Sequence, residues 1–83
     1  MKDLSYKIRR LRELQNLTQQ HIADQLGISQ RAYSKIENGQ TTLSVERLYA
    51  IVTILQCPVE AVLSLSPEEV YLAYVVKKQS LRG

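Results

Sequence analysis

Thr18-Gln19-Gln20-His21-Ile22-Ala23-Asp24-Gln25-Leu26-Gly27-Ile28-Ser29-Gln30-Arg31-Ala32-Tyr33-Ser34-Lys35-Ile36-Glu37-Asn38-Gly39 is the stretch that decides how this chain folds. Thr18 suits the start of a helix, because its hydroxyl accepts a backbone N–H that the first turn leaves unpaired. Gly27 ends that helix, since glycine takes the left-handed conformation without a Cβ penalty. Ser29 repeats the capping chemistry two residues later, and Asn38-Gly39 stops the helix that Ser29 begins. The stretch reads as a helix over 19–26 and a second over 30–38, joined by the three-residue turn Gly27-Ile28-Ser29. Ala23 is small where two crossing helices must approach. Ile22 and Leu26 on one helix, and Tyr33 and Ile36 on the other, form an apolar seam that Ile28 plugs. Gln30, Arg31, Ser34 and Lys35 are left facing outward near the N-terminus of the second helix.

Upstream, Leu4, Ile8, Leu11 and Leu14 mark one face of a helix over about residues 3–16. Downstream, Ser44 caps a helix in which Leu48, Ile51, Val52 and Leu55 recur at i, i+3, i+4 and i+7. Pro58 opens a short fifth helix as its first residue. Ser66-Pro67-Glu68-Glu69 is a capping box with proline at the first helical position, and it predicts a last helix over 67–80. The chain is therefore expected to be all-α, with a compact five-helix domain over 1–65 and a C-terminal helix over 66–83. At about 100° per residue, Val70, Tyr74 and Leu81 fall on one side of that last helix. Leu72, Val75 and Val76 fall toward the other, with Tyr71 between. A helix apolar nearly all round must be buried on more than one side. One small core cannot supply both sides. A second copy of the chain is the expected cover, with Val70, Tyr71, Tyr74 and Leu81 at the dimer interface.

Composition narrows the function classes. Eighty-three residues make one domain with a modest core. Cys57 is the sole cysteine and His21 the sole histidine, so neither an intrachain disulfide nor a Cys/His zinc site is expected. Cys57 reads as a small hydrophobe, His21 as a helix-surface residue, and the tyrosines mostly as core or interface. No glycine-rich phosphate loop and no flanked acid pair supports an enzyme, and no metal or cofactor is expected. The N-terminal residues carry charge where a signal peptide is apolar. The run Val70 to Val76 is far shorter than the ~20 residues of a spanning helix. The expected location is cytoplasmic, with no membrane partner. The net charge of +3 sits wholly in the first half. There Lys2, Lys7, Arg9, Arg10, Arg12, Arg31 and Lys35 outnumber Asp3, Glu13, Asp24 and Glu37, which points to a polyanion partner.

Thr18-Gln19-Gln20, Ala23, Leu26-Gly27-Ile28-Ser29-Gln30 and Ile36-Glu37-Asn38-Gly39 together resemble the lambdoid phage repressor and Cro (XRE-type) family of helix-turn-helix DNA-binding domains. That family also includes restriction–modification controller proteins and antitoxins. The resemblance spans about residues 5–64 and does not reach the last helix. It implies double-stranded DNA as the partner, with no small-molecule ligand. Gln30, Arg31, Ser34 and Lys35 would read bases, since Gln pairs with adenine N6/N7 and Arg with guanine O6/N7. Gln19, Thr18, Ser29, Tyr33 and Asn38 would contact or position phosphates. Arg12 and Glu37 would form an ion pair tying the first helix to the third. Tyr33 departs from the commoner aliphatic residue at its place. The implied function is a sequence-specific transcriptional regulator, a homodimeric repressor on a pseudo-palindromic operator. An autoregulating antitoxin or controller protein is the alternative. A protein–protein adaptor that keeps the fold is the rival from another class, and the basic face at Gln30, Arg31 and Lys35 argues against it.

Overall fold

The computed structural model describes residues 2–76, and these residues form helices without strands. The elements are α1 (Lys2–Leu14), α2 (Gln19–Leu26), α3 (Gln30–Glu37), α4 (Val45–Ile54), α5 (Val59–Ser64) and α6 (Pro67–Val70), which runs on into a π-helical turn, Tyr71–Val76.

Local chemistry sets most of these boundaries. Thr18, Ser29, Ser44 and Ser66 each cap a helix by accepting the N–H three residues on, from His21, Ala32, Arg47 and Glu69. The Glu69 carboxylate returns the bond to the Ser66 N–H at 3.1 Å, completing the capping box. Backbone and side-chain bonds at Ser66 hold that carboxyl below its usual range. Four helices end alike. The N–H just past a left-handed residue reaches back to the carbonyl five residues earlier, as in Leu17 to Arg12, Ile28 to Ala23, Gln40 to Lys35 and Cys57 to Val52. Each such ending needs one left-handed residue. Gly27 and Gly39 supply it after α2 and α3, and Asn16 and Gln56 supply it after α1 and α4. The left-handed Asn16 explains why α1 stops at Leu14, short of the expected Asn16. Pro58 stands just before α5 with extended backbone, as its cap and not as its first residue.

The core sits between α1 and the remaining helices. Leu4, Ile8 and Leu11 share one buried cluster with Ile22, Ala23, Tyr33 and Ile36 from the α2–α3 pair, and Leu48, Ile51, Val52 and Leu55 from α4. Leu26 and Ile28 pack against this cluster half-buried. The Cys57 thiol is buried, donates to the Leu55 carbonyl, and is pushed by burial up to about 11. Two side chains lash α1 to distant helix ends. Gln15 Nε2 donates to the Leu55 carbonyl at 2.8 Å, and Lys7 Nζ donates to the carbonyls of Val62 and Leu63 at the end of α5. Of the five tyrosines only Tyr33 is buried. Tyr71 is half-buried, and Tyr6, Tyr49 and Tyr74 are exposed.

The last helix corrects one expectation. It packs on α1 and α5, and Val70 is fully buried there, so Val70 belongs to the monomer core and not to a dimer face. The π turn explains the error. Bonds from i to i+5 bring residues five apart toward one face. Val70 and Val75 therefore turn inward together, although a regular α-helical wheel separates them. Leu72 and Tyr74 turn outward, 64% and 40% exposed. Leu81 lies outside the described residues.

Candidate nucleic-acid interface

The α2–turn–α3 unit begins from two capped N-termini separated by one left-handed glycine. The Thr18 and Ser29 oxygens accept within the chain, which leaves each hydroxyl hydrogen free to donate outward. α3 has two unlike sides. Tyr33, Ile36 and Glu37 are buried against the domain, while Gln30, Arg31 and Lys35 are exposed and Ser34 is half-exposed.

A charged network fixes the buried side. Arg12 Nε donates to Glu37 Oε2 at 2.7 Å and Nη2 to Oε1 at 3.1 Å, the parallel fork of a guanidinium on a carboxylate. Arg12 Nη1 also donates to the Leu17 carbonyl at 2.7 Å. Gln19 Nε2 donates to Glu37 Oε1 at 3.1 Å. The buried carboxylate thus joins α1, the start of α2 and the end of α3, and Arg12 extends the network to the α1–α2 loop. Burial pulls the Glu37 carboxyl upward, but its contacts with Arg12, Tyr33 and Gln19 outweigh this and leave it below the usual range. The Arg12 guanidinium is raised in turn, chiefly by its hydrogen bond to Glu37.

Tyr33 is where the structure overturns a site assignment. Its ring is fully buried and its hydroxyl is sealed from solvent with no partner in hydrogen-bond geometry. Burial and the adjacent Glu37 carboxylate push its ionisation far above the ordinary phenol range. Tyr33 precedes Glu37 by one turn on the same face, and that face points inward. Asn38 keeps an exposed side chain, but its backbone N–H is spent on the Ser34 carbonyl at 3.0 Å.

The exposed side of α3 is a ridge between two concavities. On the α2 side, Gln19, Gln30, Arg31, Ser34, Lys35 and Gln40 line a hollow of about 470 Å³. On the α4 side, Arg31 and Lys35 line a second hollow of about 420 Å³ with Thr41, Thr42, Ser44 and Arg47. The four base-reading candidates and Gln19 therefore come together. Gln40, Thr41, Thr42 and Arg47 escape a reading of the sequence, because residues 40–47 look like a connection into a core helix. The signal is present all the same: hydroxyls and a cation directly after the Asn38-Gly39 stop.

The charge is also placed more narrowly than the sequence count implies. On α1, Arg9 pairs with Glu13, Arg10 with Glu13 and Glu68, and Arg12 with Glu37, while Lys7 is held by carbonyls. Among the described side chains, Arg31, Lys35 and Arg47 are the cations without an internal hydrogen bond or ion pair, and all three border the α4-side hollow.

Two capped helices at a glycine turn, with a polar, cation-bearing ridge on the second, define a helix-turn-helix domain. A family model described as Helix-turn-helix matches residues 8–62, and the chain belongs to that family, in its XRE, lambda-repressor-like form. It is accordingly a DNA-binding regulator of XRE type. No curated protein and no solved structure matches it. None of the helices among the described residues is long and apolar enough to cross a membrane.

Proposed function

We propose that this protein is a cytoplasmic, homodimeric transcriptional repressor. It seats α3 in the major groove of a pseudo-palindromic operator and excludes polymerase by occupying the site. The observation that carries this reading is the α3 ridge. Its inner side is locked by Tyr33, Ile36 and the Arg12–Glu37 pair, while Arg31 and Lys35 stand outward without an internal partner. A rigid helix with uncommitted donors is what base readout requires. Arg31 offers its fork to guanine, Gln30 its amide to adenine, and Ser34 and Lys35 complete the surface. Thr18, Gln19, Ser29 and Asn38 set the register on flanking phosphates. Gln19 does so with the amide N–H that Glu37 leaves unused.

The exposed Leu72 and Tyr74, with half-buried Tyr71, support the dimer. Large apolar side chains on the outside of a terminal helix are the material of a two-fold interface. Two recognition helices then meet half-sites whose centres lie about 34–36 Å apart. Selection of bound duplexes from random DNA should return an inverted repeat with that spacing. Light scattering at micromolar concentration should give twice the chain mass, falling toward the monomer for Tyr74→Glu. Enrichment of no sequence, or tight binding of one half-site by a monomer, refutes the reading.

A further inference from the structure

Asn38-Gly39 carries a covalent chemistry of its own at the end of α3. The backbone nitrogen that follows an asparagine can attack the side-chain carbonyl carbon and close a five-membered ring. Glycine hinders this least, because it has no Cβ. The pair occurs once in the chain, and the other asparagine, Asn16, is followed by Leu17, whose side chain shields the nitrogen. Of the four helix endings that close on a left-handed residue, only that of α3 sets an amide side chain directly before glycine. The closed ending blocks the reaction. Asn38 stands at ψ 0°, which turns the Gly39 nitrogen away from the Asn38 Cβ. The Gly39 N–H is spent on the Ile36 carbonyl at 3.1 Å, and the Gln40 N–H on the Lys35 carbonyl at 2.9 Å. Ring closure needs that nitrogen swung over Cβ and stripped of its proton, so both bonds must open first. They lie where opening is easy. Asn38, Gly39, Gln40 and Thr41 are all exposed, whereas Glu37 just before them is buried and held by Arg12. Exposed helix ends fray, while the packed turns behind them stay closed.

We propose that Asn38-Gly39 is a self-deamidation site gated by the ending of α3, and that its product loses its hold on DNA. When the ending opens, the Gly39 nitrogen gives up its proton and bonds to Asn38 Cγ. The Cγ–Nδ2 bond breaks, Nδ2 leaves as ammonia, and a succinimide remains. Water then opens the ring at one of its two carbonyls. One route leaves aspartate, and the other an isoaspartyl link that runs the main chain through Cβ and Cγ. Each event consumes one water and releases one ammonia. Either product puts a carboxylate, ionised at neutral pH, where the amide stood. The isoaspartyl link also adds a carbon to the main chain just before Gln40, Thr41 and Thr42, which line the hollows beside α3. The effect on DNA rests on the reading of α3 as the recognition helix with Asn38 at a flanking phosphate, and the conversion itself does not.

The experiment incubates the full chain at mildly alkaline pH in three forms: free, bound to a duplex selected for tight binding, and unfolded in urea. Digestion and mass spectrometry read aspartate and isoaspartate at position 38. Conversion should be fastest in the unfolded chain, slower in the free protein and slowest on DNA, with Asn16 intact in both folded samples. Free protein that converts as fast as the unfolded chain removes the gate, and free protein that never converts removes the site. Aged wild type should lose affinity in step with conversion. Asn38→Asp should bind about tenfold more weakly from the start, as a like charge beside a phosphate requires. Circular dichroism checks that this variant is folded, and converted wild type separated by its charge takes its place if it is not. Asn38→Ser, which has no amide to expel, should hold its starting affinity throughout. An equal decline in Asn38→Ser, wild-type affinity in the converted protein, or equal rates free and on DNA overturns the link to binding. If wild type binds no DNA, the α3 reading falls with that link, and the free and unfolded samples still decide the site.

Discussion

α1 and the α3–α4 face carry the same kind of side chain and use it in opposite ways. On α1, Lys7, Arg9, Arg10 and Arg12 are all engaged inside the molecule, three with carboxylates and one with helix-end carbonyls. On α3 and α4, Arg31, Lys35 and Arg47 are engaged with nothing inside it. The pairing on α1 reaches across the fold. Arg10 meets Glu68 of α6 at 3.0 Å, its pKa raised chiefly by that bond, while Glu68 is lowered by its own backbone N–H and then by Arg10. A count of charge by sequence segment treats the two groups alike. The surface field does not, because a paired cation contributes a dipole and an unpaired one contributes a charge. The first group holds the domain together, and the second is free to meet DNA.

The largest effect should come from breaking the most buried member of the first group. Glu37→Ala leaves Arg12, whose side chain is only 12% exposed, without its partner and opens space beside Tyr33. Loss of one partner of a buried pair costs about 3–5 kcal/mol. Replacing both with methionine should cost less than either single change, and urea denaturation around a double-mutant cycle measures the coupling. Purely additive losses would show that the pair is ornamental. The pH dependence has a fixed sign. The carboxyl is lowered in the folded state, so its contribution is complete above the ordinary glutamate range near pH ~4.3 and drains away as pH falls through the folded value. Wild type should lose stability over that acid window. Glu37→Gln should be weaker at neutral pH and flatter below it.

For the second group the effect should move from folding to binding. Arg31→Ala should leave the unfolding midpoint in place and weaken specific binding by about 1–3 kcal/mol, with relaxed preference at one position per half-site. Fluorescence anisotropy on operator and random duplexes separates the cases. An equal loss on both would demote Arg31 to a phosphate contact.

Much of this division is legible in the sequence, and the parts that are not share a cause. Caps, glycine stops and helical periodicity are local, so the α2–turn–α3 unit and the core faces of α1 and α4 follow from neighbouring residues alone. The Arg12–Glu37 pair is expected from resemblance. Its extension to Gln19 and Leu17 depends on where three elements converge, and no spacing encodes that. Tyr33 is misplaced by the sequence because a phenol commonly finds water, whereas here its hydroxyl is buried beside Arg12 and Glu37. Val70 is misplaced because a wheel assumes one period, and the π turn changes it. The α4 ending is unreadable, since Gln56 takes the left-handed conformation at φ 61° without being glycine or asparagine. That last case yields a test of intermediate size. Gln56→Gly relieves a left-handed L-residue and should raise stability by about 1 kcal/mol, less the entropy glycine adds to the unfolded chain. Gly27 shows the reverse. A Cβ there meets no neighbour, so Gly27→Ala should lose a similar amount through backbone strain alone.

The smallest effect is the sharpest control on the comparison. Arg9 lies on α1 with its side chain 56% exposed, paired to Glu13 at 3.3 Å one turn along. An exposed i,i+4 pair contributes about 0.3–0.5 kcal/mol, and Arg10 remains beside Glu13 when Arg9 is removed. Arg9→Gln should therefore barely move the unfolding midpoint. It removes one positive charge, as Arg47→Gln does, so the two variants share a net charge and differ only in where the charge was lost. If position governs DNA binding, Arg9→Gln keeps the wild-type salt slope while Arg47→Gln makes it shallower by about 0.9. If Arg9→Gln flattens the slope as much, the protein attracts DNA through its total charge, and the distinction between the two groups of cations does not hold.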